Sequence, residues 1–262
     1  MTSKQRVVKT FYYGNWADIW AFPLAERILP YALRIPGITP NKVTLVGFGA
    51  YTIGSVLLFM TNVPNHLLWA AFLILFGFVM DDLDGQVARE TNLYSELGNY
   101  LDKVLDVLKM FIVTASLSYA VFLNTQNILH IYLGFIATAF FYIRYYIKLE
   151  SVLRQTEIDK EYLEKSGVVM KNRESELIKR HAILEKTTMG KLRAFWEKNR
   201  TIFLVDEAEF AVFTGFGALI GQLEAILWIL AVSQVTIFVW RFYERGQQLI
   251  HKRPTRYLFM RK

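Results

Sequence analysis

The chain has 262 residues, a net charge of +7 and no cysteine. Hydrophobic residues make up 53% and mean hydropathy is +0.25, which excludes a largely disordered chain. The lack of cysteine excludes a disulfide scaffold, a thiolate metal site, an iron–sulfur cluster and a cysteine nucleophile. A basic excess on so apolar a chain points to anionic membrane lipids as the surface it meets, with no nucleic-acid partner.

The first forty residues lack the uninterrupted apolar core and cleavage site of a secretory signal. Instead Trp16, Trp20, Leu24 and Ile28 recur every four residues, with Asp18, Glu26 and Arg27 off that stripe. The spacing predicts an amphipathic helix lying in the cytoplasmic interface, where tryptophan suits the headgroup depth. A helix packed on the rest of the protein is the alternative.

Six apolar runs follow, close to the bilayer-spanning length of about 20 residues. They are Val43–Met60, Leu67–Met80, Val104–Leu123, Ile128–Ile147, Ile202–Ile220 and Ala225–Phe242. In lipid such runs must be helical to satisfy their own backbone, and they do not alternate as barrel strands do. The second is long enough to span only if its helix continues through Asp81 to about Arg89, and the third only if it starts near Leu97.

Lysine and arginine are missing from the connections Thr61–His66, Asn124–Asn127 and Gly221–Glu224. They gather in the N-terminal segment, the acidic segment after Met80, residues 148–200 and the tail after Trp240. With six spans these four regions share one side, expected to be the cytoplasm of a multi-pass cell or inner membrane protein with both termini inside. The fold expected is therefore all-α and integral to the membrane. Residues 1–41 form the interfacial N-terminus, 42–147 four transmembrane helices, 148–200 a charged cytoplasmic helical insert, 201–243 two further transmembrane helices and 244–262 a basic tail. The insert reads as a helical hairpin broken at Gly167, capping the acidic face or offering a basic surface to lipid, with a solvated connector as the alternative.

The stretch from Met80 to Asp106 carries the chemistry. Asp81 and Asp84 are three apart and share a helix face. After a short turn, Gly98, Asp102 and Asp106 recur every four residues on the next helix. Carboxylates at a membrane helix end are costly and usually functional, and four converging ones need cations to stay ionised together. Hard oxygen ligands at this density suit Mg²⁺ or Mn²⁺, and two such ions would form an electropositive site for a pyrophosphate. Gly85, Ala88 and Gly98 lack bulk and would admit a phosphate or a flat base, although small residues also serve helix packing. Asp82, Glu90 and Glu96 read as solvated helix-end charges.

Asp81-x-x-Asp84-Gly85-x-x-Ala88-Arg89, eight residues, then Gly98-x-x-x-Asp102-x-x-x-Asp106 resembles the signature of the CDP-alcohol phosphotransferase family at every position. Ile38-Thr39-Pro40-Asn41-Lys42-Val43-Thr44 resembles the segment that opens that family's first helix. The resemblance covers residues 36–147 well and the last two runs in outline; the amphipathic N-terminus and the insert are not family-wide features. It implies a homodimeric enzyme of phospholipid synthesis, with its site open to the cytoplasm. Such an enzyme transfers a substituted phosphate from a CDP-linked donor to an alcohol and releases CMP. By position, Asp81, Asp84 and Asp102 would be metal ligands, Asp106 a ligand of the second metal and the general base, and Gly85, Ala88, Arg89 and Gly98 the CDP pocket.

CDP-diacylglycerol is the donor favoured by analogy with short members; a CDP-linked headgroup passed to a lipid alcohol is the alternative. Arg144 and Lys148 would hold an acceptor phosphate, or Asp206, Glu207 and Glu209 an acceptor amine; snorkelling and mutual pairing are the bland alternative. Two other readings compete. A membrane prenyltransferase would place its second aspartate motif far along the chain and leaves Gly85-x-x-Ala88-Arg89 unexplained. A cation transporter would place its acids at the midplane, near broken helices.

Overall fold

The computed structural model describes residues 18–158, 205 and 207–250. Among them are seven α-helices and no strand: α1 Asp18–Ala32, α2 Pro40–Leu57, α3 His66–Thr91, α4 Glu96–Thr125, α5 Leu129–Ile158, α6 Glu207–Leu219 and α7 Leu223–Ile250. The predicted insert, apart from residues 148–158, lies outside the described residues, as do Trp16, Asp206 and the tail beyond residue 250.

Helix ends follow local chemistry. Thr39 caps α2, accepting a hydrogen bond from the Lys42 backbone N–H, with Pro40 in the first turn where its missing N–H has no cost. Asn92 ends α3 in the left-handed region at φ 55°. Three residues later Ser95 caps α4, accepting from the Gly98 N–H at 3.0 Å, with Glu96 against the positive helix end. The second run does continue through Asp81, to Thr91, and α4, which holds the third run, does begin one residue before Leu97. The fourth run's helix, α5, runs on past Ile147 to Ile158: leaving an apolar environment does not end a helix, and no glycine or proline intervenes before Gly167.

The described residues form two compact units: residues 18–138 with 205 and 207–233, and residues 139–158 with 234–250. In the first, α2 packs on both α3 and α4, while α3 and α4 make little backbone contact with each other. Glycines bring α2 close to α3: a Cβ at Gly77 would lie 2.7 Å from the Gly47 carbonyl oxygen, and one at Gly54 2.9 Å from the Ile74 nitrogen. Helix α1 lays Ala21, Ala25 and Ala32 inward and packs on α3, where the Gln86 amide donates to the Phe22 carbonyl and the Trp20 ring meets Phe78. The buried face is thus the alanine stripe, because small side chains allow the closest approach; Leu24, on the predicted apolar stripe, is exposed. In the second unit Phe140 and Phe238 stack edge to face at 5.0 Å, beside buried Phe141 and Ile237.

Among the described residues, three helical segments are long and apolar enough to cross a membrane: His66–Thr91, Glu96–Thr125 and Leu223–Gln247. On α4 the exposed residues Val104, Leu108 and Phe111 form an outward apolar stripe, and Leu105, Met110, Val113 and Leu117 an inward one. Lipid accommodates an apolar exterior of this kind. At the far end of α4, the His130 ring bridges Thr125 Oγ1 at 2.8 Å and Glu224 Oε1 at 3.0 Å, fastening the starts of α5 and α7. Asp102 and Thr125 lie about 35 Å apart along α4, slightly more than the hydrocarbon core of about 30 Å.

Candidate active site

The site lies between the second half of α3 and the first half of α4. Single carboxylate oxygens of Asp81, Asp102 and Asp106 lie within 4.8 Å of one another. Asp102 and Asp106 share the inward face of α4 one turn apart, and Asp81 reaches them from α3. Asp106 is buried at 8% exposure; Asp81 and Asp102 are half-buried. Three hard oxygens so spaced are the donor set that suits a divalent cation, with room left for phosphate oxygens or water. The cradle therefore fits an ion.

Asp84 stands apart from that trio. Its Oδ2 accepts a hydrogen bond from Thr44 Oγ1 at 2.5 Å, so α2 holds it in place. Asp81, Asp102 and Lys109 are still close enough for their charges to act on it. The structure thus converges three of the four expected carboxylates at one point and fixes the fourth beside them through a partner on α2.

That partner is one of three groups the sequence reading missed. Asn41, one turn earlier on α2, presents Oδ1 to Gly98: a Cβ there would lie 2.7 Å from it and 3.0 Å from Ser95 Oγ. Gly98 is small because α2 and the α4 cap crowd it. The third is Lys109, whose buried ammonium bonds Asp81 Oδ1 and, at 2.9 Å, Asp106 Oδ1. Lys103 bonds Asp102 Oδ2 at 2.8 Å and lies 3.8 Å from Asp106 Oδ2, but its side chain is half exposed.

Among the residues expected to line a nucleotide pocket, Gly85 lies under the Arg89 guanidinium, a Cβ there being 3.5 Å from Nη1, and Ala88 is half-buried. The structure brings Gly85 to Arg89, and Gly98 to Asn41. Of the expected acceptor contacts, Arg144 and Lys148 belong to the second unit, where each cation lies 5.0 Å from an aromatic ring centroid, Phe141 and Tyr145 respectively. Glu209 belongs to the first unit and is buried at 1% exposure. Asp206 and the Glu207 side chain lie outside the described residues.

Comparison with known proteins matches residues 37–171 to the CDP-alcohol phosphatidyltransferase family. A phosphatidylinositol phosphate synthase of Cutibacterium acnes is 32% identical over 96 residues, which is 36% of this chain and 42% of that protein. The CDP-diacylglycerol–serine O-phosphatidyltransferase of Saccharomyces cerevisiae is 39% identical over 83 residues, 31% of this chain and 30% of that protein. The matches thus span less than half the length of these relatives. Among solved structures, the phosphatidylinositol phosphate synthase of Mycobacterium tuberculosis with CDP-DAG bound aligns with a TM-score of 0.54 at 20% identity, over 86% of this chain and 93% of that one. At that identity the likeness is one of fold.

Proposed function

Since this chain belongs to the CDP-alcohol phosphatidyltransferase family, we propose that it is a membrane enzyme that transfers a phosphatidyl group from CDP-diacylglycerol to a polar alcohol and releases CMP. The observation that carries this reading is the convergence of Asp81, Asp102 and Asp106 within 4.8 Å, beside a tethered Asp84. The similar proteins support the donor: the yeast relative is named for CDP-diacylglycerol, and the fold neighbour holds CDP-DAG.

The chemistry is a displacement at phosphorus. The acceptor oxygen bonds to the phosphorus that carries diacylglycerol, the P–O bond to the bridging oxygen breaks, and CMP leaves with that oxygen. Asp106 takes the hydroxyl proton; it is buried, on the inward face of α4, within hydrogen-bond reach of Lys109. Asp81, Asp84, Asp102 and Asp106 would hold two Mg²⁺ or Mn²⁺ ions, which when bound supply the positive charge that stabilises the transferring phosphoryl group and the leaving CMP. Thr44 orients Asp84. Gly85, Ala88, Arg89 and Gly98 line the CDP pocket.

The chain is an integral membrane protein, and on this reading it has six spans. Helix α1 lies at the cytoplasmic interface, docked by its alanines with Leu24 turned outward. The termini and the catalytic face are cytoplasmic, and the working enzyme is a homodimer. A site at the membrane surface lets the acyl chains stay in the bilayer while the headgroup reacts.

The test is purified protein with CDP-diacylglycerol, CDP-linked headgroups and a panel of alcohols, among them serine and inositol phosphate, assayed for CMP. CMP release from CDP-diacylglycerol with one class of alcohol is expected. Release only from a CDP-linked headgroup in the presence of diacylglycerol would reverse the donor assignment. Release from neither, with divalent cations crossing a vesicle membrane instead, would make the chain a transporter.

A further inference from the structure

Lys109 is three residues past Asp106, on the same face of α4, and only 9% exposed. A lysine near a membrane surface ordinarily extends its amine to the headgroups. This one turns inward and bonds Asp81 Oδ1 and Asp106 Oδ1. Both acids belong to the trio that offers oxygens to a cation. Burying an ammonium is unfavourable unless it is paired, and here two carboxylates from two helices pair it. Lys103 differs: its half-exposed side chain can turn to water.

We propose that Lys109 is a tethered cation that pairs with Asp81 and Asp106 within the carboxylate cradle and competes with the divalent ion for them. The inference rests on the reading of Asp81, Asp102 and Asp106 as metal ligands. A divalent ion bonded to those oxygens would sit within a few ångströms of Nζ, where like charges repel strongly in a partly desolvated site. Loading the ion therefore requires Lys109 to release at least one carboxylate. Paired with Lys109 the two carboxylates are charge-compensated, and the ion binds more weakly than the oxygens alone would hold it.

The experiment uses the full chain in detergent, without nucleotide. Mn²⁺ is titrated and the free ion read by electron paramagnetic resonance, for wild type, Lys109→Met, Lys109→Gln and Asp102→Asn. Thermal unfolding is followed in parallel, with chelator and with Mn²⁺. Both Lys109 variants are expected to bind Mn²⁺ at least tenfold more tightly than wild type, to unfold at a lower temperature in chelator, and to gain more from Mn²⁺. If Lys109→Met does not fold, Lys109→Gln, which keeps a hydrogen-bond donor, carries the same comparison. Equal or weaker Mn²⁺ binding by the variants, with wild type binding normally, overturns the proposal and makes Lys109 a support of the metal centre. No Mn²⁺ binding by any form, or undiminished binding by Asp102→Asn, overturns the metal reading itself and the proposal with it.

Discussion

Asp106→Asn is expected to lower transfer to any alcohol by roughly a thousandfold, within the range that a lost general base commonly produces, while donor affinity stays near that of wild type. Asparagine keeps the shape of the side chain and can still accept from Lys109, but it cannot take a proton at neutral pH. Asp81, Asp84 and Asp102 remain to hold an ion and the donor's phosphates. Measuring donor affinity beside turnover in this one variant separates the two roles given to Asp106. Collapse of both would make it chiefly a metal ligand and send the search for the base elsewhere. Turnover close to wild type would remove it from the mechanism.

Asp84→Asn is expected to cost several powers of ten in turnover, as are Asp81→Asn and Asp102→Asn, because these side chains act as a unit on one transition state. Asp84 makes the comparison informative because Thr44 already holds it. The amide would keep that hydrogen bond and lose the charge; Thr44→Val would do the reverse. A hydrogen bond to a charged group is worth about 1.5–3 kcal/mol, so Thr44→Val should cost roughly ten- to a hundredfold, well short of the asparagine variant. Equal losses would mean that placement, not charge, is what Asp84 supplies. Substantial activity in Asp84→Asn would end the two-ion assignment.

The parts of this site that lie along single helices are legible in the sequence. The four-residue spacing of Gly98, Asp102 and Asp106 defines one face of α4, and the shortness of the second apolar run requires α3 to carry Asp81 past the end of its lipid-facing part. What crosses between helices is less legible. Thr44 and Asn41 lie in a segment recognisable as a helix start, but which turn of α2 meets Asp84 and which meets Gly98 depends on how Gly47, Gly54 and Gly77 let α2 and α3 approach. In the sequence Lys109 looks like a polar interruption of an apolar run. Its i, i+3 spacing from Asp106 was the available signal, but the inward turn of its amine depends on Asp81 arriving from the other helix. On α1 the large residues draw the eye to a Trp–Leu–Ile stripe, whereas packing against α3 selects the alanines. Periodicity finds an apolar face; it does not say whether that face meets protein or lipid.

In the proposed reaction the diacylglycerol-bearing phosphate leaves CMP for an alcohol at the aspartate cradle. The most direct measurement uses CDP-diacylglycerol carrying ³²P only in the phosphate next to the glycerol, with the purified enzyme, an accepting alcohol and Mg²⁺ or Mn²⁺. The label should appear in a new phospholipid, unlabelled CMP should form in equal amount, and both should cease with chelator or with Asp102→Asn. Label in a water-soluble product, CMP formed without a matching phospholipid, or transfer indifferent to Asp102 would contradict the account.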